Sequence, residues 1–414
     1  MKGAKPGWRN FEMKGIMKKA GAMLLAAGLG VSMLAGCGAS DAPVVVDGTK
    51  TVVTINDEAV KMGVLSLLTR FQQAQIYQIY TSYFGATQIF NMTMDESTGA
   101  TYGENVKKQT LEDIEKMVLL RQHAGDYEGI DLTEDEKAEI AKAAQAYIDE
   151  NAEEIRTKVG ATYDDAVELL TLFKTQEKMM AAIGDAVDQE VSDEEAQQTS
   201  LTYVAIRKAE ESTDSSDASA AESADESAAE KPSVEEQNAE KKADAEAILA
   251  ALKDSDDPAD ADMNEIAKEK NEEYSSSVGQ FTTNDTSDTS LDEAIVTAAA
   301  KLSDGEVVDS VIETDTYFYV VRVDKVFDES KTETKKGEIL TQRKQDSFDT
   351  LVSGWKDEAA ITVDEATLAT LVLSDTDVFT LAAADPAEES AAESTAESTA
   401  ESTDESAAES AESK

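Results

Sequence analysis

The sequence predicts an α+β, multidomain protein: a mostly helical domain, interrupted by a smaller α+β module, with acidic tracts that do not fold. Three observations predict it. Apolar residues recur at helical spacing through 51–198 and again from 334 to about 373. Between them lie two runs rich in β-branched and aromatic residues, LTYVAIR at 201–207 and YFYVVRV at 317–323, which read as strands. Residues 209–240 and 385–414 are built largely of Ala, Glu, Ser, Asp and Thr and lack the large apolar side chains that would offset the entropy of ordering them; the tail is expected to be disordered from 376.

The helical region opens with Val52-Val53-Thr54-Ile55, a short strand, and Asn56-Asp57-Glu58 is expected to cap the helix that follows, carrying Leu65, Leu68, Ile76, Ile79, Tyr80 and Tyr83. A helix over about 105–128 places Leu111, Ile114, Val118 and Leu119 on one face. Thr133 stands three residues before Glu136, as in a capping box, and starts a helix to about 151. Another begins near Tyr163 and carries Leu169, Leu170, Leu172, Phe173, Met179 and Met180. No strand other than the first is expected in this domain. In the module, helices are predicted at about 243–252, 263–270 and 291–302, with Val278-Gly279-Gln280-Phe281 and Gly305-Glu306-Val307 between them. The final helical stretch holds Ile339, Leu340, Phe348, Leu351 and Trp355, and needs an apolar surface elsewhere in the chain on which to dock.

Composition excludes much chemistry. The 414 residues hold 86 Asp and Glu against 37 Lys and Arg, a formal net charge of −49. Such a field repels phosphate backbones, so no nucleic-acid partner is expected. A single histidine, His123, and a single cysteine, Cys37, cannot supply a Cys/His zinc site, a Cys/His dyad or a disulfide framework. No metal and no cofactor is expected. Residues 210–240 carry 11 acidic residues and one lysine, and 385–414 carry ten and one, so much of the negative charge is carried by solvated tracts. Neither tract has the ligand spacing of an EF-hand loop.

The N-terminus reads as an address. Lys2, Lys5, Arg9, Lys14, Lys18 and Lys19 precede an apolar run over 20–35, which ends in Leu34-Ala35-Gly36-Cys37. The run is shorter than the roughly 20 residues that span a bilayer, so it reads as a secretory signal. Leu-Ala-Gly-Cys resembles the bacterial lipobox, whose cysteine becomes the acylated first residue of a lipoprotein. That resemblance implies a signal over 1–37, a polar tether over 38–50, and a lipid on Cys37 that holds the protein on the extracytoplasmic face of a membrane.

The order of the remaining parts resembles the PrsA/SurA group of extracytoplasmic foldases. VVTINDEAV is similar to that family's strand-to-helix opening and GIDLTEDEKAEI to its second-helix region. Leu302-Ser303-Asp304-Gly305-Glu306-Val307 matches the parvulin Leu-x-x-Gly-Glu-Val turn, and Val278-Gly279-Gln280-Phe281 the Leu-Gly-x-Phe element. The resemblance implies a helical chaperone domain over 51–198, a parvulin-like peptidyl-prolyl isomerase module over 199–328 carrying the insertion 209–240, a segment over 329–375 that returns to the chaperone domain, and a tail over 376–414. The implied partners are unfolded or newly secreted polypeptides. The proline pocket would be walled by Val278, Leu291 and Ile295, with Phe281 beside them. The family's two histidines fall on Val204 and Tyr319, so only Tyr319 retains a polar group there, and isomerase activity is expected to be weak or lost. A second reading remains open at this point, a non-catalytic surface lipoprotein for solute binding or adhesion on the same helical scaffold.

Overall fold

The computed structural model describes residues 31–33, 45–85, 87–210, 232–287, 289–376 and 378–381; Cys37 and most of the signal, the centre of the insertion and the tail beyond 381 lie outside them. The protein is α+β, and its chain divides into two units, residues 1–186 with 346–414, and residues 187–345.

The first unit is not purely helical. Thr51–Ile55 pairs antiparallel with Glu58–Lys61 on one side and Ile361–Val363 on the other. Asn56, expected to cap a helix, instead takes the left-handed conformation (φ 55°) at the tip of this hairpin. The same short amide that suits a helix cap also suits a tight turn, and the pairing of Val53 with Val60 decides for the hairpin. Asn56 also ties the hairpin down: its Nδ2 donates to Gln122 Oε1 at 2.8 Å and its Oδ1 accepts from the Ala360 N–H at 3.0 Å. Helix Met62–Phe84 follows directly with no side-chain cap; its first N–H groups donate to the carbonyls of Lys50 (2.7 Å) and Gly48 (3.0 Å).

Three further long helices, Tyr102–Gln122, Glu134–Glu150 and Tyr163–Asp185, each begin at a capping box, Thr101/Glu104, Thr133/Glu136 and Thr162/Asp165. Each box satisfies N–H groups that a helix start leaves unpaired. Val53, Ile55, Leu65, Leu67, Ile114, Val118, Tyr147, Leu169 and Leu172 form the fully covered centre. A second apolar cluster joins Leu120, Ile130, Met179 and Ile183 to Phe348 and Val352. His123 ends helix Tyr102–Gln122 with its ring stacked on Trp355 (4.1 Å between centroids, 7° between planes) and its Nδ1 3.1 Å from Asp126 Oδ2. Glu115, almost buried, is paired with Lys356 at 3.0 Å. Order extends past the expected start of the tail at 376: Phe379 is buried under the Arg70 guanidinium (4.7 Å), and Phe379–Leu381 pairs with Val31–Met33.

The second unit is a four-stranded antiparallel sheet. Gln198–Arg207 lies between Ser276–Thr282 and Tyr317–Lys325, and Ile312–Glu313 forms the far edge. Helices Val234–Lys253, Met263–Lys270 and Glu293–Ala299 contribute to its core. The first of these starts inside what the sequence assigned to the disordered insertion (209–240): Ser233 and Glu236 form a fourth capping box, so the chain is helical from Val234.

The chain enters this unit at 187, whereas the sequence placed the boundary at 198, and it leaves at 345, inside helix Glu329–Glu358. Polar anchors explain the earlier start. Arg343 grips both carboxylate oxygens of Glu195 (2.6 and 2.7 Å), Lys336 pairs with Asp193 (2.6 Å), and the Gln198 N–H donates to Thr332 Oγ1 (3.1 Å).

Candidate functional site

Side-chain alternation along the sheet sorts the predicted site residues onto two faces. Tyr319 stands opposite Ala205, Tyr203 opposite Val321, and Leu201 opposite both Val323 and Gly279. Tyr203, Ala205, Tyr317, Tyr319, Gly279 and Phe281 therefore share one face. Val204 pairs with Val320 and is fully buried on the other. The residue across from Tyr319 is thus Ala205, and Val204, which the resemblance set together with Tyr319, faces the other way. In a strand a slip of one moves the side chain to the opposite face, which is why the register had to be known to make the assignment.

Three tyrosines form a shelf on the shared face. The rings of Tyr317 and Tyr319 stack at 5.4 Å, and Tyr203 meets Tyr319 edge-on at 6.3 Å. The Tyr319 hydroxyl donates to Asp292 Oδ2 at 3.3 Å. Asp292 reaches that position because it is the N-cap of helix Glu293–Ala299, where its Oδ1 accepts from the Ala294 N–H at 2.9 Å. Burial, and then the neighbouring carboxylate, push the Tyr319 phenol up to about 12. It stays protonated through the physiological range and can donate a hydrogen bond. It is no general base.

The four apolar pocket residues are only partly brought together. Leu291, half-buried, lies flat over Gly279: a Cβ there would stand 2.8 Å from Leu291 Cδ2 and 3.3 Å from Leu201 Cδ1, so glycine is what lets the leucine approach the strand. Phe281 and Ile295 are buried in the same apolar cluster. Val278 is not with them. It is 84% exposed, on the opposite face from Gly279, and is corrected as a wall of the pocket; the alternation of the strand turns it out to solvent. A shallow groove of about 470 Å³ runs beside the capped helix, lined by Asp292, Glu293, Ala294, Thr297, Ala298 and Lys301. Of these, Asp292 is hydrogen-bonded to the tyrosine shelf.

Sequence reasoning missed Tyr203, Tyr317 and Asp292. The aromatic alternation in Tyr317-Phe318-Tyr319 is a visible signal for two rings on one face, and Asp292-Glu293 before an apolar turn is a visible cap. Bringing Tyr203 to Tyr319 depends on a strand pairing more than 100 positions apart in sequence, that of Ala205 with Tyr319, and Asp292 reaches the same hydroxyl from 27 positions away.

The Leu302 to Val307 turn is built onto the last strand. The Gly305 N–H donates to the Val323 carbonyl (2.8 Å) and the Val323 N–H to that of Glu306 (2.9 Å), while Glu306 Oε2 accepts from the Ser303 N–H (2.8 Å). Gly305 is required twice, by its φ of +74° and by a Cβ position 2.5 Å from that of Ala259.

No family model and no curated protein matches the chain. Among solved structures it is similar to the foldase protein PrsA from Streptococcus pneumoniae, at 16% identity and a TM-score of 0.27, over 65% of this chain and 93% of that one. It is also similar to a peptidylprolyl isomerase (PrsA) from Bacillus cereus, at 16% identity and a TM-score of 0.26, over 69% of this chain and 96% of that one. Overlaps this slight transfer neither a fold nor an activity, and the functional reading rests on the chain's own residues.

Proposed function

We propose that the protein is a membrane-anchored extracytoplasmic folding factor that holds unfolded secreted chains, with a parvulin-like module whose prolyl isomerase activity is weak or lost. The observation that carries the reading is the turn Leu302 to Val307 laid against strand Tyr317–Lys325, in a sheet unit inserted between 186 and 346 of a helical unit. That order is what the sequence resemblance implies. Substrate-binding lipoproteins are instead expected to alternate strand and helix through two lobes. Chemistry at the tyrosine shelf fits the weak-activity reading. Rotation about a prolyl bond faces a barrier of about 20 kcal/mol and requires no nucleophile or metal, only a site that desolvates the ring and favours the twisted amide. Tyr317, Tyr319 and Leu291 offer an apolar, aromatic platform on which the Tyr319 hydroxyl is held by Asp292. Ala205 leaves a gap where a second polar group would complete the network.

Turnover of a short proline peptide by the wild-type protein is expected to be at or near the uncatalysed rate. Ala205→His with Tyr319→His should raise it at least tenfold in a protease-coupled isomerisation assay. A wild-type rate equal to that of a histidine-bearing parvulin, or a double variant that folds and stays inert, counts against the site.

The anchoring part rests on Leu34-Ala35-Gly36-Cys37. Mass spectrometry of the mature N-terminus is expected to find diacylglycerol on Cys37, and an unmodified form starting elsewhere would contradict it.

A further inference from the structure

Among the described residues of the helical unit most large apolar side chains are covered, and apart from Val45 the exposed ones are Tyr83, Phe84, Met92, Met94 and Val372. Tyr83 is 80% exposed and Phe84 71%, at the end of helix Met62–Phe84, and Met92, Met94 and Val372 are each about half exposed. They are joined by half-buried rings beneath them. Phe84 lies 5.5 Å from Tyr80, Tyr80 lies 6.2 Å from Tyr102, and the Tyr102 N–H donates to the Met92 carbonyl at 2.8 Å. Met94 is two residues farther along the same extended segment, in the hairpin of Thr93–Asp95 and Ala100–Thr101. Val372 adjoins Leu373, whose carbonyl meets Gly103, the next residue after Tyr102. A patch of aromatic and methionine side chains on a soluble surface marks an interaction site, and methionine adapts to partners of varied shape.

The charge around the patch selects the partner. From Phe71 to Val106 the chain contains no lysine or arginine, and exposed Asp95 and Glu96 directly follow Met94, whereas Glu104 serves its own helix cap and faces Lys107. Asp375 adds a further carboxylate, held by the N–H groups of Ile89, Phe90 and Asn91. We infer that Tyr83, Phe84, Met92, Met94 and Val372 form a docking surface for extended polypeptide segments that combine apolar side chains with lysine or arginine. This rests on the folding-factor reading and names the class of client segment. The rim carboxylates attract and orient the cations, and the rings and thioethers cover the apolar side chains.

The test uses the whole protein and a fluorescein-labelled, unstructured 15-residue peptide carrying three Phe or Leu and four Lys. Two companion peptides replace the Lys by Glu, or the Phe and Leu by Ser. Anisotropy at low salt is expected to show the apolar, cationic peptide binding at least tenfold tighter than either companion, with the preference over the Glu peptide shrinking as salt rises. Phe84→Ser with Met94→Ser, both exposed and checked for unchanged helicity, should weaken that binding at least tenfold. Equal binding by the variant overturns the proposal, as does equal binding of the Ser-substituted peptide. So does self-association by sedimentation, or binding to neutral phosphatidylcholine vesicles, that the variant abolishes while peptide binding persists unchanged. Suppression of client aggregation is measured in parallel. If it is absent while the peptide preference holds, the folding-factor reading fails and the surface stands; if it is present and indifferent to Phe84 and Met94, the surface alone fails.

Discussion

A chain ending at Gln345 is expected to lose the cooperative unfolding of its helical unit. The cut removes Phe348 and Val352 from the cluster they form with Leu120, Ile130, Met179 and Ile183, and strips strand Ile361–Val363 from the edge of Thr51–Ile55. Leu371 and Leu373, both buried in the main core, are lost as well. Burying one such side chain is worth about 1.5–3 kcal/mol, and a whole domain is stable by only about 5–15 kcal/mol, so losing this set consumes most or all of the margin. Hydrogen exchange in helix Tyr102–Gln122 should become fast and the thermal transition followed at 222 nm should broaden. A milder variant, Phe348→Ala, should cost about 3–4 kcal/mol. A chain ending at 384 keeps every described contact and should melt as the full protein does. Unchanged melting after the cut at 345 would show that the returning segment does not complete the helical core.

Gly305→Val is the second large effect. It forces a β-branched residue into a backbone of φ +74° and drives its Cβ into that of Ala259. The backbone strain costs about 1–3 kcal/mol and overpacking about as much again, for a total near 3 kcal/mol on the sheet unit. Amides of Tyr317–Lys325 should then exchange roughly a hundredfold faster, by the general conversion of 1.36 kcal/mol per tenfold. Gly337→Ala is the control: beyond its chain neighbours and its own helix backbone nothing lies within 4 Å of its Cβ position, so stability should rise by up to about 1 kcal/mol. Slow exchange retained in Gly305→Val would mean that the turn is not held against the last strand.

How far the structure was legible in the sequence depended on the range of the interactions concerned. Thr133 and Glu136 form a capping box within four residues, and the helix they start is where it was expected, at Glu134–Glu150. Ser233 and Glu236 carry the same pattern, but in a tract so rich in Glu, Ala and Ser that composition masked it. Asn56 was ambiguous locally, and its distant partners, Gln122 and Ala360 from the far end of the chain, hold it in the turn. The site was harder still. Whether Val204 or Ala205 faces Tyr319, and whether Val278 faces Leu291, is a matter of strand register, which periodicity in one strand leaves open by one residue. The exposed group of Phe84, Met92 and Met94 was also hidden, since in sequence it continues the apolar pattern of the core.

Light scattering of a denatured secreted client, diluted from urea with and without the intact protein, tests the folding-factor reading most directly. At near-equimolar amounts the protein should suppress aggregation, and should do so equally with Tyr319→Phe, because holding chains does not require the phenol. Aggregation that proceeds undiminished at a several-fold excess of correctly folded protein would contradict it.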